Sequence, residues 1–376
     1  MALAGSMNGI RHLYVHLPFC AHRCGYCDFV TAVGRPDEHE AYTNALLAEL
    51  ARERHLLSDP LETVFVGGGT PTFTEAEALA LVLEGLPTAR EVTVEANPET
   101  VTSRMASLLH GQGVTRVSLG TQSFQPRLLS VLERRAGPDD VRRAVHHLRD
   151  AGFDNISLDL LYGIPGQSSP DLDADLAEAL TLQPEHLSCY ELEAKPGTRF
   201  THAWGAELED QAKAMEGYFE QVVNTLTAAG YRWYETANFC RMVDGRDLRA
   251  HHNLGYWHGS DYLGLGVGAV STVEGLRRRN RPSLGAYVHA LAAGDEPPRE
   301  IEELDGATRR RERLMLGLRL DEPLPVAAVG DALDRAALSR LVAGDLAELV
   351  DGVALRLTPR GRFLGGAVTT ELLTAA

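Results

Sequence analysis

Six short runs of apolar and β-branched residues recur along the first half of the chain: HLYVHL from His12, TVFVG from Thr63, EVTVEA from Glu91, RVSLGT from Arg116, NISLDLLYG from Asn155 and HLSCYEL from His186. Runs of this length and composition, bounded by polar and turn-forming residues, predict strands. Between them lie longer stretches with helical spacing: EHEAYTNALLAELARERHLL from Glu38, TEAEALALVLEGL from Thr74, PDDVRRAVHHLRDAG from Pro138 and SPDLDADLAEALTL from Ser169. Strand alternating with helix predicts a parallel sheet with crossover helices.

Each predicted strand runs out into a polar or glycine-rich signature: Cys20 to Cys27, Gly67-Gly68-Gly69-Thr70-Pro71, Glu95-Ala96-Asn97-Pro98, Gly120-Thr121-Gln122-Ser123-Phe124, Asp159 to Gly166, and Tyr190-Glu191. One such segment alone is most simply a turn. Six in succession describe the mouth of a barrel of βα units, where the loops after the strands converge on one site. Six strands do not close as eight do, so the predicted fold is α/β: a partial (β/α)6 TIM-like barrel.

The pattern changes after about residue 200. A helix is predicted from Glu207 to Ala229, then a strand-like YRWYETANF from Tyr231, then the segment HHNLGYWHGSDYLGLGVGAVS from His251. From Asp305 two helical runs, ATRRRERLMLGLRL and DRAALSRLVAGDLAELV, precede VALRLTPRGRFLGGAV, a predicted hairpin. Helices closed by a hairpin form an α+β winged-helix-like module, for which a packing or lid role is expected over DNA. The expected division is 1–200 for the barrel, 201–304 for an extension carrying HHNLGYW, and 305–376 for the C-terminal module.

Composition narrows the partners. With 44% hydrophobic and 23% charged residues the 376-residue chain is ordinary globular material. Its formal net charge of −16 repels phosphate backbones, so no nucleic-acid partner is expected. The basic run Arg277-Arg278-Arg279-Asn280-Arg281 reads as a solvated surface turn. MALAGSMNGIRHLY lacks the charged start and apolar run of a signal peptide, and no window is apolar enough for a membrane span; a cytoplasmic location is expected.

Three of the five cysteines, Cys20, Cys24 and Cys27, sit in CAHRCGYCDF as a C-x3-C-x2-C set in a loop after the first strand. They are too close together for a sensible disulfide framework in a chain of this size. Structural zinc needs a fourth ligand, for which His16 or His22 is available, but the second ligand pair of common zinc modules is missing. Iron-sulfur clusters are held by thiolates, and three thiolates on a four-iron cubane leave one iron open to an external ligand.

At this point the chain resembles the radical S-adenosylmethionine superfamily. The resemblance implies that the amino and carboxylate groups of S-adenosylmethionine chelate the open iron of a 4Fe-4S cluster, and that a reduced cluster cleaves the sulfonium to give a 5'-deoxyadenosyl radical. GGGTP after the second strand resembles the family's glycine motif, where the missing Cβ lets the main chain approach the ligand. HLPFCAHRCGYCDF, VGGGTPT, VEANPE, SLGTQSF, DLLYGIPGQ and GLGVGAVS are similar to one branch, the oxygen-independent coproporphyrinogen III oxidases and the HemW-like heme chaperones. By that resemblance Tyr14, Tyr26, Gly68, Gly69, Thr70, Glu95, Gln122, Arg134, Asp159 and Val270 match positions that line the S-adenosylmethionine site. Carboxylates such as Glu95 and Asp159 suit ribose hydroxyls or an ammonium group, and Arg134 suits a carboxylate.

Within the branch two features favour the chaperone. The oxidases carry a further cysteine two positions after the third, where this chain has Phe29, and an N-terminal arm before the first strand, whereas this chain reaches Tyr14 almost at once. HHNLGYW matches the chaperones' H-N-x-x-Y-W motif through His252, Asn253, Tyr256 and Trp257. The resemblance makes His252 the expected heme ligand, favoured over His251 and His258, with flanking aromatics for a porphyrin face. Two histidines seen in such chaperones are absent, at Ala136 and Val270. The expectation is therefore heme as cargo, delivered to acceptor proteins, with respiratory and membrane-associated ones as candidates. An electron donor and a homodimer are further expectations, and radical decarboxylation of coproporphyrinogen III is the alternative.

Overall fold

The computed structural model describes residues 9–193, 195 and 199–374. The first eight residues, part of the segment read as lacking a leader, lie outside the described residues. All six predicted strands form: β1 (His12–Leu17), β2 (Leu61–Gly68), β3 (Ala89–Ala96), β4 (Arg116–Gln122), β5 (Ile156–Tyr162) and β6 (His186–Glu191). They lie side by side in chain order and all pair in parallel. The crossovers carry α1 (His39–Glu53), α2 (Ala76–Gly85), α3 (Ser103–Gly111), α4 (Pro126–Val131), α5 (Pro138–Asp150) and α6 (Ser169–Thr181). Of these, α3 and α4 had no sequence expectation.

Alternation along the strands separates two chemistries. Val15, Val66, Val94, Val117 and Ile156 form one continuous rung across five strands, and each is fully buried. Their neighbours point to the opposite face. There Tyr14, Phe65, Thr93 and Arg116 form a rung, as do Glu95, Ser118 and Ser157. The apolar face packs on the helices, and the polar face lines the inside of the curve.

The sheet does not close. It continues past both ends to twelve strands, in the order β12-β11-β10-β9-β1-β2-β3-β4-β5-β6-β8-β7. The added strands are β7 (Tyr231–Trp233), β8 (Asn238–Arg241), β9 (Tyr262–Leu265), β10 (Val270–Val273), β11 (Leu276–Asn280) and β12 (Arg299–Glu303). Of these, β9 joins β1 in parallel and the rest add antiparallel. The run from Arg277 is thus a strand as far as Asn280 and not a solvated turn, with Arg281 just beyond it: Arg277 pairs with Glu302 across the ladder and with Glu312 at 2.7 Å. The helix predicted from Glu207 is two helices, α7 (Arg199–Ala212) and α8 (Met215–Ala228). HHNLGYW forms a short helix, α9 (His251–Trp257), and α10 (Leu284–Ala292) follows β11.

The C-terminal segment holds α11 (Gly306–Gly317), β13 (Leu324–Pro325), α12 (Arg335–Ala343), β14 (Ala347–Val350), β15 (Ala354–Leu357), α13 (Pro359–Phe363) and α14 (Gly365–Leu372). A cluster including Leu314, Leu338, Leu355 and Leu372 forms its core. The hairpin is shifted from its expected place. Asp345, at φ 57°, turns the chain out of α12, so AELV becomes the first arm. The expected second arm ends early because Thr358 accepts from Gly361 N at 3.0 Å and Pro359 opens a helix. Among the described residues no helix is long and apolar enough to cross a membrane.

Candidate functional site

A cavity of about 530 Å³ opens at the carboxyl ends of β1 to β6 and is lined by Cys20, Cys24 and Cys27. Cys20 is buried at the end of a short strand pair after β1, and the other two are half-buried in the following loop. Cys20 Sγ shares a 3.5 Å hydrogen bond with Thr70 Oγ1, which in turn accepts from Asn97 Nδ2 at 3.1 Å. Arg134 reaches the same loop from beyond β4: its guanidinium donates to Cys24 Sγ at 3.7 Å, to Asn97 Oδ1 at 2.9 Å and to Gly120 O at 2.6 Å. The buried Arg134 Nε has no partner among the described residues.

The glycine segment sits against this loop with no room for side chains. Gly68, at φ 117°, would place a Cβ 2.6 Å from the His16 ring, and Gly69 would place one 2.5 Å from the Pro18 carbonyl oxygen. Gly68 N donates to Glu95 Oε2 at 3.0 Å. A bulge between Gly120 and Gln122, with Gln122 at φ 65°, re-aims the end of β4 at the cavity. Tyr14, Tyr26, Gly68, Gly69, Thr70, Glu95, Gln122, Arg134 and Asp159 all line the cavity.

Two of the expected residues lie elsewhere. Val270 is half-buried in β10 and does not line the cavity; its backbone packs on Gly264, where an added Cβ would stand 2.1 Å from the Val270 oxygen. His252 is fully engaged in the interior, and in this conformation it is not presented as a heme ligand. Its Nδ1 bonds Thr63 Oγ1 at 2.8 Å, its Nε2 bonds Tyr256 OH at 2.9 Å, and burial pushes its pKa down to about 3. Its neighbour Asn253 lines the cavity instead. The flanking His258 pairs with Glu322 at 3.0 Å.

Period-2 alternation in the strands carried a signal for residues that motif matching missed. Arg116 and Ser118 on β4, and Ser188 and Tyr190 on β6, share the polar face and line the cavity with Asn97. Ser118 Oγ donates to both Asp159 oxygens at 3.1 and 3.0 Å. Burial raises the Asp159 pKa, against the pull of Arg116 and of these hydroxyls.

Glu95 is displaced as well: burial pushes it up to about 7, against the Gly68 N–H and with the help of Asp159. A carboxyl raised in the fold contributes stability below its unfolded pKa, and this is lost as pH rises through the folded value. Glu95→Gln is therefore expected to match the parent at pH 4 and to be more stable at pH 8. Because the cavity leaves Glu95 half-buried, the gain is put at about 2 kcal/mol, below the full linkage value. Urea unfolding of the apo-protein at the two pH values measures it, and an equal difference at both would refute the assignment.

Among the described residues no three His, Cys, Asp or Glu side chains converge on one point for a single metal ion. A tetrahedral zinc site needs that convergence at about 2.3 Å, whereas thiolates on a cubane each take a different iron. His16 does not join the set: Nε2 bonds Val30 O at 2.8 Å and Nδ1 bonds Tyr14 OH at 3.0 Å. Three thiols spread around a cavity, a bare glycine edge and an unsatisfied buried Arg134 Nε fit a cluster with a polar ligand on its open iron.

Fold and site together define a radical S-adenosylmethionine protein. The sequence profile of the Radical SAM superfamily matches residues 14–179, and that superfamily implies a 4Fe-4S cluster and S-adenosylmethionine. Within it the chain belongs to the HemW family. It is 36% identical to the heme chaperone HemW of Mycobacterium tuberculosis, over 96% of this chain and 94% of that one. It is 33% identical to the heme chaperone HemW of Bacillus subtilis, over 96% and 98%. The solved structure of coproporphyrinogen III oxidase (HemN) from Escherichia coli, a radical SAM enzyme, superposes with a TM-score of 0.80 at 21% identity. It covers 97% of this chain and 91% of that one, a likeness of fold.

Proposed function

We propose that the protein is a heme chaperone that binds heme, a 4Fe-4S cluster and S-adenosylmethionine, and delivers heme to acceptor proteins. The observation that carries this is the family: relatives named for that role align with 96% of the chain. Phe29 supports it, since it is 63% exposed, lines the cavity, and occupies the position where the oxidase pattern has another cysteine.

In this reading Cys20, Cys24 and Cys27 hold the cluster, which supplies one-electron chemistry at an open iron when bound. Thr70 and Arg134 restrain two of the sulfurs. Tyr14, Tyr26, Gly68, Gly69, Gln122, Glu95 and Asp159 surround S-adenosylmethionine, with the two carboxylates placed for its cationic and hydroxyl groups. His252 has a positioning role: through Thr63 on β2 it ties α9 to the barrel interior, and through Tyr256 it braces α9 internally.

One preparation, reconstituted anaerobically with iron and sulfide, tests the proposal. Hemin titration is expected to show saturable binding, and incubation with coproporphyrinogen III, S-adenosylmethionine, a reductant and an electron acceptor is expected to give no protoporphyrinogen. Absence of hemin binding refutes the chaperone reading; turnover establishes the oxidase alternative.

A further inference from the structure

A second cavity, of about 860 Å³, is separate from the cluster cavity and shares no lining residue with it. It is a groove between the α9 end of the barrel, the β9–β10–β11 hairpins and α11, within the ~300–1,000 Å³ of small-molecule and cofactor sites. Tyr256, Tyr262, Leu304 and Met315 supply apolar and aromatic surface. Tyr256 and Tyr262 meet edge to face with centroids 4.6 Å apart, and Met315 is 48% exposed although large and apolar.

The groove is lined by four arginines, Arg277, Arg309, Arg310 and Arg313, against three carboxylates, Asp261, Glu274 and Glu312. Glu312 is held by Arg277, Asp261 accepts from the Glu274 backbone N–H at 2.9 Å, and Arg310 is held by Asp331. Arg309 and Arg313 have no carboxylate partner among the described residues. Arg313 donates only to the Trp257 carbonyl, at 3.1 Å, and burial alone lowers its pKa. A half-buried guanidinium without a counter-charge carries a desolvation cost that a ligand carboxylate relieves.

We infer that this groove is where the protein carries its cargo: heme lies against Tyr256, Tyr262 and Met315 with its propionates on Arg309 and Arg313. The inference rests on the heme reading above and does not use His252 as the iron ligand, since its Nε2 is bonded to Tyr256. Position adds to the chemistry. Tyr256 lines the groove and Asn253 the cluster cavity, so one turn of α9 is a shared wall between the two sites.

The test uses full-length reconstituted protein and two probes, hemin and hemin dimethyl ester, which lacks the propionate charges. Arg309→Gln, at an exposed residue without a structural partner in the described fold, is the first variant, and Arg309→Gln/Arg313→Gln the second. Hemin is expected to bind at least about tenfold more weakly to the double variant, the size of one lost charge-assisted hydrogen bond. Arg309→Gln is expected to move in the same direction with cluster content unchanged. With the ester, parent and variants are expected to bind alike, as a double-mutant cycle requires if Arg and propionate meet. Unchanged hemin affinity in both variants, or an equal loss with the ester, overturns the groove and leaves the chaperone reading standing. Parent protein that binds no hemin overturns both.

Discussion

Cys24→Ala is expected to leave the reconstituted protein without its 4Fe-4S cluster, and Cys20→Ala and Cys27→Ala are expected to do the same. With one of three thiolates gone, two irons lack a protein thiolate, and among the described residues no fourth cysteine lines the cavity. His16 is tied at both ring nitrogens, and His22 lies 3.8 Å from Glu133. Burial holds the Cys20 thiol up at about 11 and raises Cys27, so these two thiols are protonated at neutral pH in the metal-free pocket. Iron must displace those protons, and cluster retention is therefore expected to fall as pH falls. Cys189→Ala and Cys240→Ala are the controls, because those thiols are buried on β6 and β8 and do not line the cavity. Iron and sulfide analysis with the visible charge-transfer absorbance reads the result. A Cys24→Ala protein with parental iron and sulfide would remove that residue from the cluster.

The barrel was legible because its strands are short apolar runs with a helix after each, and local pattern decides such units. Residues 251–280 were not legible as structure. YLGL and VSTV are four-residue strands whose partners lie far away in sequence, β9 pairing with β1 about 250 residues earlier. No local spacing announces such a pairing. The shifted C-terminal hairpin has a different cause: AELV has helical composition, and the left-handed backbone at Asp345 overrides it.

The site divides in the same way. Cysteines and glycines are legible because chemistry or close approach leaves few alternatives to the residue type. Arg116 and Ser118 look like ordinary strand residues until alternation assigns them to the polar face. His252 is the opposite case: a residue type suited to metal ligation, inside a recognised motif, is engaged at both ring nitrogens by Thr63 and Tyr256 in this structure. The GLGVGAVS segment likewise matched a cofactor position at Val270, yet its tightest contacts are to the fold itself.

Those contacts define the second large effect: Glu49→Ala is expected to destabilise the protein by about 3–5 kcal/mol, as when one partner of a buried ionic group is removed. Glu49 lies in α1 and is completely buried. Its carboxylate accepts from Gly266 N at 2.8 Å, Tyr287 OH at 2.6 Å, Asn280 Nδ2 at 2.8 Å and Arg299 at 2.9 Å. One side chain thus gathers the turn after β9, the end of β11, α10 and β12 onto the barrel's first helix. Alanine leaves all four donors without this acceptor, and Arg299 keeps only Glu53 and Asn280. The effect reaches the cluster loop, because Tyr42 on the same helix donates to His16 O at 2.7 Å and accepts from Val267 N at 3.0 Å. Urea unfolding is expected to show the lower midpoint, with cluster retention reduced in parallel. Glu49→Gln, which keeps one acceptor oxygen but not the charge, is expected to fall between; a midpoint within error of the parent for Glu49→Ala would show that this buried cluster does not hold the sheet extension to the barrel.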